Sequence, residues 1–263
     1  MNWLEVNGAA LRYDLTGSGE RTLVLVHEMG GTLESWSDVL PALSRRRRVL
    51  RYDTRGAGLS EKIRGTANID MMTDDVAGLL DGLGIEGRVA IAGIAVGGAI
   101  AIHFAARHAG RTAALIPMSP AVGVPVDRRD AIAAAADAME RRGVRATIDA
   151  SMQAGYPPAL RTDMARFSRV KAQRLGNDPS SYAAIYRMLN GMDLSADYAK
   201  IACPAFFMAG RYDGLRPPAL VETLAKSILG ARVEILETGH FMSQQTPDLV
   251  SSTMLRFLDE VGC

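Results

Sequence analysis

Three segments far apart in this 263-residue chain carry, or stand in place of, the groups that perform acyl chemistry. Asp213 lies just past the apolar run Ala205 to Ala209, and His240 follows another such run, inside Thr238-Gly239-His240-Phe241. An imidazole and a carboxylate on neighbouring loop tips can hydrogen-bond, the carboxylate fixing the ring's tautomer and stabilising its protonated form. The third segment is Gly93-Ile94-Ala95-Val96-Gly97, between the apolar run Arg88 to Ala92 and a small-residue helix from Gly98 to His108. That is the strand–turn–helix setting of a G-x-S-x-G nucleophile elbow, with a methyl group where the hydroxyl belongs. A lone histidine is usually structural and a lone aspartate after a strand is usually a turn residue. Position 95, Asp213 and His240 come in the order nucleophile, acid, histidine, and together they point to a catalytic site.

An oxyanion hole has its parts as well. Val96 follows the elbow position at a helix N-terminus, where its backbone N–H and the helix dipole favour negative charge. The second donor is expected from His27-Glu28-Met29-Gly30-Gly31, with Met29 the residue so placed. Glu28 is unusual there, because a carboxylate beside an oxyanion hole repels developing charge. It either makes a structural hydrogen bond or touches the reaction. Ser119 follows a strand at the same sheet edge and is a pocket candidate without an elbow. Cys203 precedes its strand and falls at the wrong end of the sheet, and Ser243 sits on a helix where a cap or surface role is expected.

These loops need a sheet to converge. Val6 to Tyr13 reads as a hairpin turning at Asn7-Gly8. Thr22 to His27 is a continuous apolar run, as in a strand covered on both faces, and Val49 to Tyr52, Arg88 to Ala92, Ala113 to Met118, Ala205 to Ala209 and Val233 to Leu236 repeat it. Helical periods lie between them, notably Asp70 to Leu83. The alternation predicts an α/β fold, a mostly parallel eight-stranded sheet with helices on both faces. From Val124 to Leu194 no strand is evident, only helical stretches broken at Gly143, Gly155-Tyr156-Pro157-Pro158, Gly176-Asn177 and Gly191. This divides the chain into a core of residues 1–123 and 195–263 and a helical cap of 124–194 after the sixth strand, over the crevice where open α/β sheets bind ligands. Its basic stretch, Arg161, Arg166, Arg169, Lys171 and Arg174, is a solvated helix face unless one arginine turns inward to favour an anionic substrate.

Composition narrows the partners. A formal charge of +1 gives no field to recruit nucleic acid or an anionic membrane. The basic run Arg45 to Arg48 is expected as a solvated helix end or turn. The first residues have neither a basic region nor an apolar stretch of signal-peptide length, and no apolar run reaches the roughly 18 residues that span a bilayer. Two distant cysteines, Cys203 and Cys263, show no metal spacing and fit a reducing cytoplasm. A small-molecule substrate is expected, with no cofactor and no metal; the oligomeric state is not legible.

Taken together, these segments resemble the α/β-hydrolase superfamily over nearly the whole chain, and within it the 3-oxoadipate enol-lactonase group and related small esterases and C–C hydrolases. The resemblance rests on Leu25-Val26-His27 with Gly30-Gly31, on Arg51 to Ser60, on Leu79 to Ile85, on the elbow, on Gly210 to Asp213 and on Gly239-His240-Phe241. It implies cofactor-free hydrolysis of a lactone, ester or activated ketone, with Asp53 and Arg55 as structural charges. Ala57 departs from the family's frequent histidine, and Ala95 departs at the nucleophile. Three readings stay open: a serine hydrolase whose serine is replaced, a lyase, decarboxylase, isomerase or oxygenase working through a His240–Asp213 base, or a ligand-binding pseudoenzyme.

Overall fold

A computed structural model describes residues 2–263. The first strands, β1 (Asn2–Val6) and β2 (Ala9–Thr16), form the expected hairpin. Asn7 and Gly8 both take positive φ, 50° and 70°, as a two-residue hairpin turn requires. Next come β3 (Thr22–Val26), a short helix α1 (Leu40–Leu43) and β4 (Arg48–Tyr52). Helix α2 (Ile69–Gly82) is capped by the Asn68 side chain, which accepts from the Met71 N–H. Then follow β5 (Val89–Ile94), α3 (Val96–Arg107) and β6 (Thr112–Met118).

The strand order is β1-β2-β4-β3-β5-β6, continuing to β7 (Phe206–Gly210) and β8 (Arg232–Leu236). The sheet is mixed: β2 pairs antiparallel with both its neighbours, while every other pairing is parallel. Leu23, Val24, Leu25 and Val26 on β3 are fully buried, as their unbroken apolar run demands of a strand sandwiched between helices.

Between β6 and β7 the chain leaves the sheet and forms α4 (Arg129–Arg142), α5 (Arg145–Gly155), α6 (Met164–Leu175) and α7 (Pro179–Gly191), with no strand among them. They carry small cores of their own, one of Ile148, Met152, Tyr156 and Val170 closed by Phe241, another of Met139, Val144 and Tyr182. After β7 come α8 (Pro218–Ala225), then past β8 the single turn α9 (Met242–Gln245) and α10 (Pro247–Glu260).

One basic residue departs from expectation. Arg47 is buried rather than solvated, its guanidinium paired with Asp259 and donating to the Cys263 carbonyl, so it fastens Asp259 and Cys263 to the start of β4. Both cysteines are free and buried, and burial pushes the Cys203 thiol up to about 11. Among the described residues, no helix is long and apolar enough to cross a membrane.

Candidate functional site

Strand β5 runs two residues further than its apolar run suggested, to Ile94, and delivers the chain into the elbow without slack. Ala95 sits at φ 52°, ψ −114°, a conformation that costs a residue with a Cβ on the order of 1–3 kcal/mol. The turn is held by the Ala95 N–H donating to the Met118 carbonyl and by the Ala99 and Ala121 amides donating to the Ala95 carbonyl. Its flanking glycines are obligatory for space. A Cβ on Gly93 would sit 2.1 Å from the Gly97 carbonyl oxygen, and one on Gly97 would sit 2.2 Å from that of Val26. The backbone of a nucleophile elbow is therefore complete around a residue that carries no nucleophile.

His240 and Asp213 meet as expected. The ring Nδ1 lies 2.8 Å from Asp213 Oδ2, both residues are buried, and His240 lines the same cavity as Ala95. Asp213 Oδ1 accepts the N–H groups of Leu215 and Arg216, each at 2.8 Å. Burial alone would raise the Asp213 carboxyl, yet His240, the Arg216 amide and the neighbouring Ser119 outweigh it and hold its pKa below the ordinary aspartate value. With Nδ1 committed to an ionised carboxylate, the neutral ring donates from Nδ1 and leaves Nε2 as the basic atom.

The terminal turn of α5 ties these two loops together. The Gly214 N–H donates to the Ala154 carbonyl at 3.1 Å, and the His240 N–H to the Gly155 carbonyl at 2.9 Å. These are among the carbonyls that a helix C-terminus leaves without intrahelical partners. Gly155 also lets the helix come close: a Cβ there would lie 2.8 Å from the Phe241 ring and 3.2 Å from His240 Cβ. The Gly155-Tyr156-Pro157-Pro158 stretch is thus a fixed joint at this end.

Val96 and Met29 both face the cavity, and among the described residues neither backbone N–H is taken by another protein group. Val96 opens α3, so its amide has no partner within the helix. Glu28 turns away and is no part of the cavity wall. Its Oε1 accepts from Arg174 Nη2 at 2.5 Å and from the Ser35 hydroxyl at 3.1 Å, in an ion pair whose side chains are each 1% exposed. Burying an unpaired carboxylate is costly, and the guanidinium of α6 supplies its partner. Ser119 is likewise absent from the cavity wall. It is fully buried at φ 43° against the Asp213 carboxylate, and its Oγ makes no well-aligned hydrogen bond. Ser243 is buried, its hydroxyl donating to the Ser35 carbonyl at 2.8 Å, so it is not a surface residue. Asp53 and Arg55 are loop organisers, Asp53 accepting the Leu33 and Leu59 amides and Arg55 gripping Asp75.

The cavity holds about 420 Å³. Its floor is Ala95, Val96, Met29 and His240; Ile132, Tyr182, Tyr186 and Leu189 come from the helices between β6 and β7. None of the five basic residues singled out in sequence reaches it. Arg161 caps the Tyr156 carbonyl, Arg166 and Arg169 pair with Asp38, Lys171 pairs with Asp149, and Arg174 holds Glu28. Two other arginines, Arg128 and Arg216, do line it. Arg216 was findable in principle, since it lies three residues past Asp213 on the same loop; Arg128 had no such marker. Among the described residues, no group of three or more His, Cys, Asp or Glu side chains is arranged to hold a metal ion.

Comparison with known proteins supplies the family. The family model described as serine aminopeptidase, S33, matches residues 17–241. A chain of Azorhizobium caulinodans named as carbamate hydrolase RutD is 28% identical, the match covering 96% of each chain. The 3-oxoadipate enol-lactonase 2 of Acinetobacter baylyi is 26% identical over 97% of this chain and 96% of its own — a span that takes in elbow, acid and histidine. The crystal structure of the enol-lactonase from Burkholderia xenovorans superposes with a TM-score of 0.91 at 29% identity, covering 98% of this chain and 100% of that one. With a family model spanning most of its length and this elbow at its centre, the chain belongs to the serine aminopeptidase S33 family of α/β-hydrolase-fold hydrolases, near the enol-lactonase and esterase group.

Proposed function

We propose that this site binds a small ester, lactone or activated ketone and hydrolyses it without a cofactor, with Ala95 standing in the nucleophile's place. The observation that carries this reading is the convergence of a strained elbow, the His240–Asp213 pair and two free amide donors on one cavity. The names of the relatives, enol-lactonase and carbamate hydrolase, support an acyl carbon bearing a heteroatom leaving group. Residues 124–194 serve as the lid, contributing much of the cavity wall and leaving the chemistry to the sheet's edge.

With alanine at 95, the only attack open to the site is by water. His240 Nε2 takes a proton from a water as its oxygen adds to the carbonyl carbon. The carbonyl π electrons move to oxygen, where the Val96 and Met29 N–H groups hold the charge. Collapse re-forms the carbonyl and expels the alkoxide or enolate, which takes the proton back from imidazolium, giving an acid and an alcohol or enol. Losing a triad nucleophile costs on the order of 10⁶ in turnover, while the hole and binding retain roughly 10³–10⁴ over water.

The test is Ala95→Ser on a small activated ester such as p-nitrophenyl acetate. Turnover should rise by at least about 10³ over the alanine chain and vanish again on adding His240→Ala. Serine giving no gain would overturn the reading. If instead the alanine chain itself turns over a substrate through His240 at an enzymatic rate, without help from serine, a base-driven reaction such as proton abstraction replaces it.

A further inference from the structure

Strand β8 ends the sheet, and among the described residues no further strand covers its outer side. Its register with β7 fixes which backbone groups that side carries. The Arg232 N–H donates to the Ala205 carbonyl, and the Arg211 N–H to the Leu236 carbonyl. In a parallel ladder alternate residues serve one neighbour, so Arg232, Glu234 and Leu236 bond to β7. Val233 and Ile235 therefore turn their N–H and C=O groups to the open edge. No proline, lysine or bulge blunts this edge, the usual defences of a solvated strand. Apolar surface flanks it: Val233 is exposed, Leu229 in the turn before the strand is 99% exposed, and Leu220 on α8 is 56% exposed.

We infer that the β8 edge is the interface for a second copy of this chain, joined antiparallel about a two-fold axis at Val233. In that register Val233 faces itself and exchanges two backbone hydrogen bonds, while each Ile235 N–H meets the Ala231 carbonyl of the other copy. Charge selects the same register. Arg232 and Glu234 share the face covered by α10, where they pair with Glu260 and Arg256. Centring on Val233 sets Arg232 of each copy directly across from Glu234 of the other, at the closer, non-hydrogen-bonded positions. Centring on Ile235 would set Glu234 against Leu236 and leave both charges unmatched. The opposite edge of the sheet, β1, offers no such fit, because Glu5 is its only charged residue. A stable interface buries roughly 1,200–2,000 Å², more than the edge of one short strand provides. The two-fold supplies the rest by laying α8 beside its copy on one face and α10 beside its copy on the other, since both helices flank β8. The interface is independent of the reaction proposed above.

Sedimentation velocity of the full chain over a concentration series is the test. A species of twice the chain's mass should form as concentration rises. Val233→Pro deletes only an outward N–H, so it should keep the pairing with β7 and the far-UV circular dichroism while weakening association at least about tenfold. Arg232→Glu sets carboxylate against carboxylate across the axis, and Glu234→Arg sets guanidinium against guanidinium. Each alone should weaken association at least about tenfold. Mixed in equal amounts, the two charge variants should associate with each other, because opposite charges then meet at both positions. That mixture carries the test if the proline variant misfolds. A single species of one-chain mass up to about 100 μM would overturn the interface. So would a dimer untouched by all three substitutions, or a mixture that associates no better than its components.

Discussion

At residue 95 the chain keeps the awkward backbone of a nucleophile elbow, and the reason lies in the neighbouring residues. Gly93 and Gly97 admit no side chain, and three backbone hydrogen bonds fix the turn whatever stands at its tip. This is why the elbow was legible in sequence: glycine spacing reports backbone closeness, which does not depend on a hydroxyl at the tip. Asp213 and His240 were legible because each follows a strand at the same edge. Glu28 was not, because its partner Arg174 comes from 146 residues away and no local pattern announces it. Asp213 also carries a pH signature. Its pKa is lowered in the folded chain, so its contribution to stability is fully present above the unfolded value near 3.8 and is lost as pH falls through the lower folded value. Urea unfolding of the native chain and of Asp213→Asn should therefore run parallel between pH 5 and 7 and converge below about pH 4. A constant gap down to pH 2 would mean that the carboxylate gains nothing from its partners.

Among the elements, α6 has a task its sequence disguised. Its basic residues look like one solvated face, yet Arg174 is buried, reaching Glu28 beside Met29 and lying 3.7 Å from the Phe241 ring centre. Helical periodicity could place Arg174 on a face, but the face's partner comes from the β3 loop, and only the assembled fold brings it there. The pair fastens the helical insertion to the loop that presents the Met29 amide. Arg174→Met strands the Glu28 carboxylate in a dry site and should cost about 3–5 kcal/mol in stability. The double variant Arg174→Met with Glu28→Gln should recover a substantial part of that in denaturant titrations. If the double variant is as unstable as the two single losses added together, the two side chains are not coupled.

For the whole molecule, the sheet and the run of helices between β6 and β7 followed from apolar runs, turn glycines and the absence of alternation between Val124 and Leu194. The cavity's charges did not follow, because arginines disperse among carboxylates that lie far away in sequence, such as Asp38 for Arg169 and Glu28 for Arg174. A second feature of the assembled chain is that α5 is bonded to both dyad loops. Native-state hydrogen exchange should then find the Gly214 and His240 amides opening with the same free energy as the last turn of α5. Much faster exchange at His240 alone would show that the joint is loose.

That joint limits how this protein could be redesigned. Swapping in the helical segment of another hydrolase, to borrow its substrate range, would also remove the two carbonyls on which the Asp213 and His240 loops rest. A functional chimera would have to retain the stretch around Ala154 and Gly155, including the small residue that admits the Phe241 ring. A graft that respects only the sheet would leave the loops of Asp213 and His240 without their anchor.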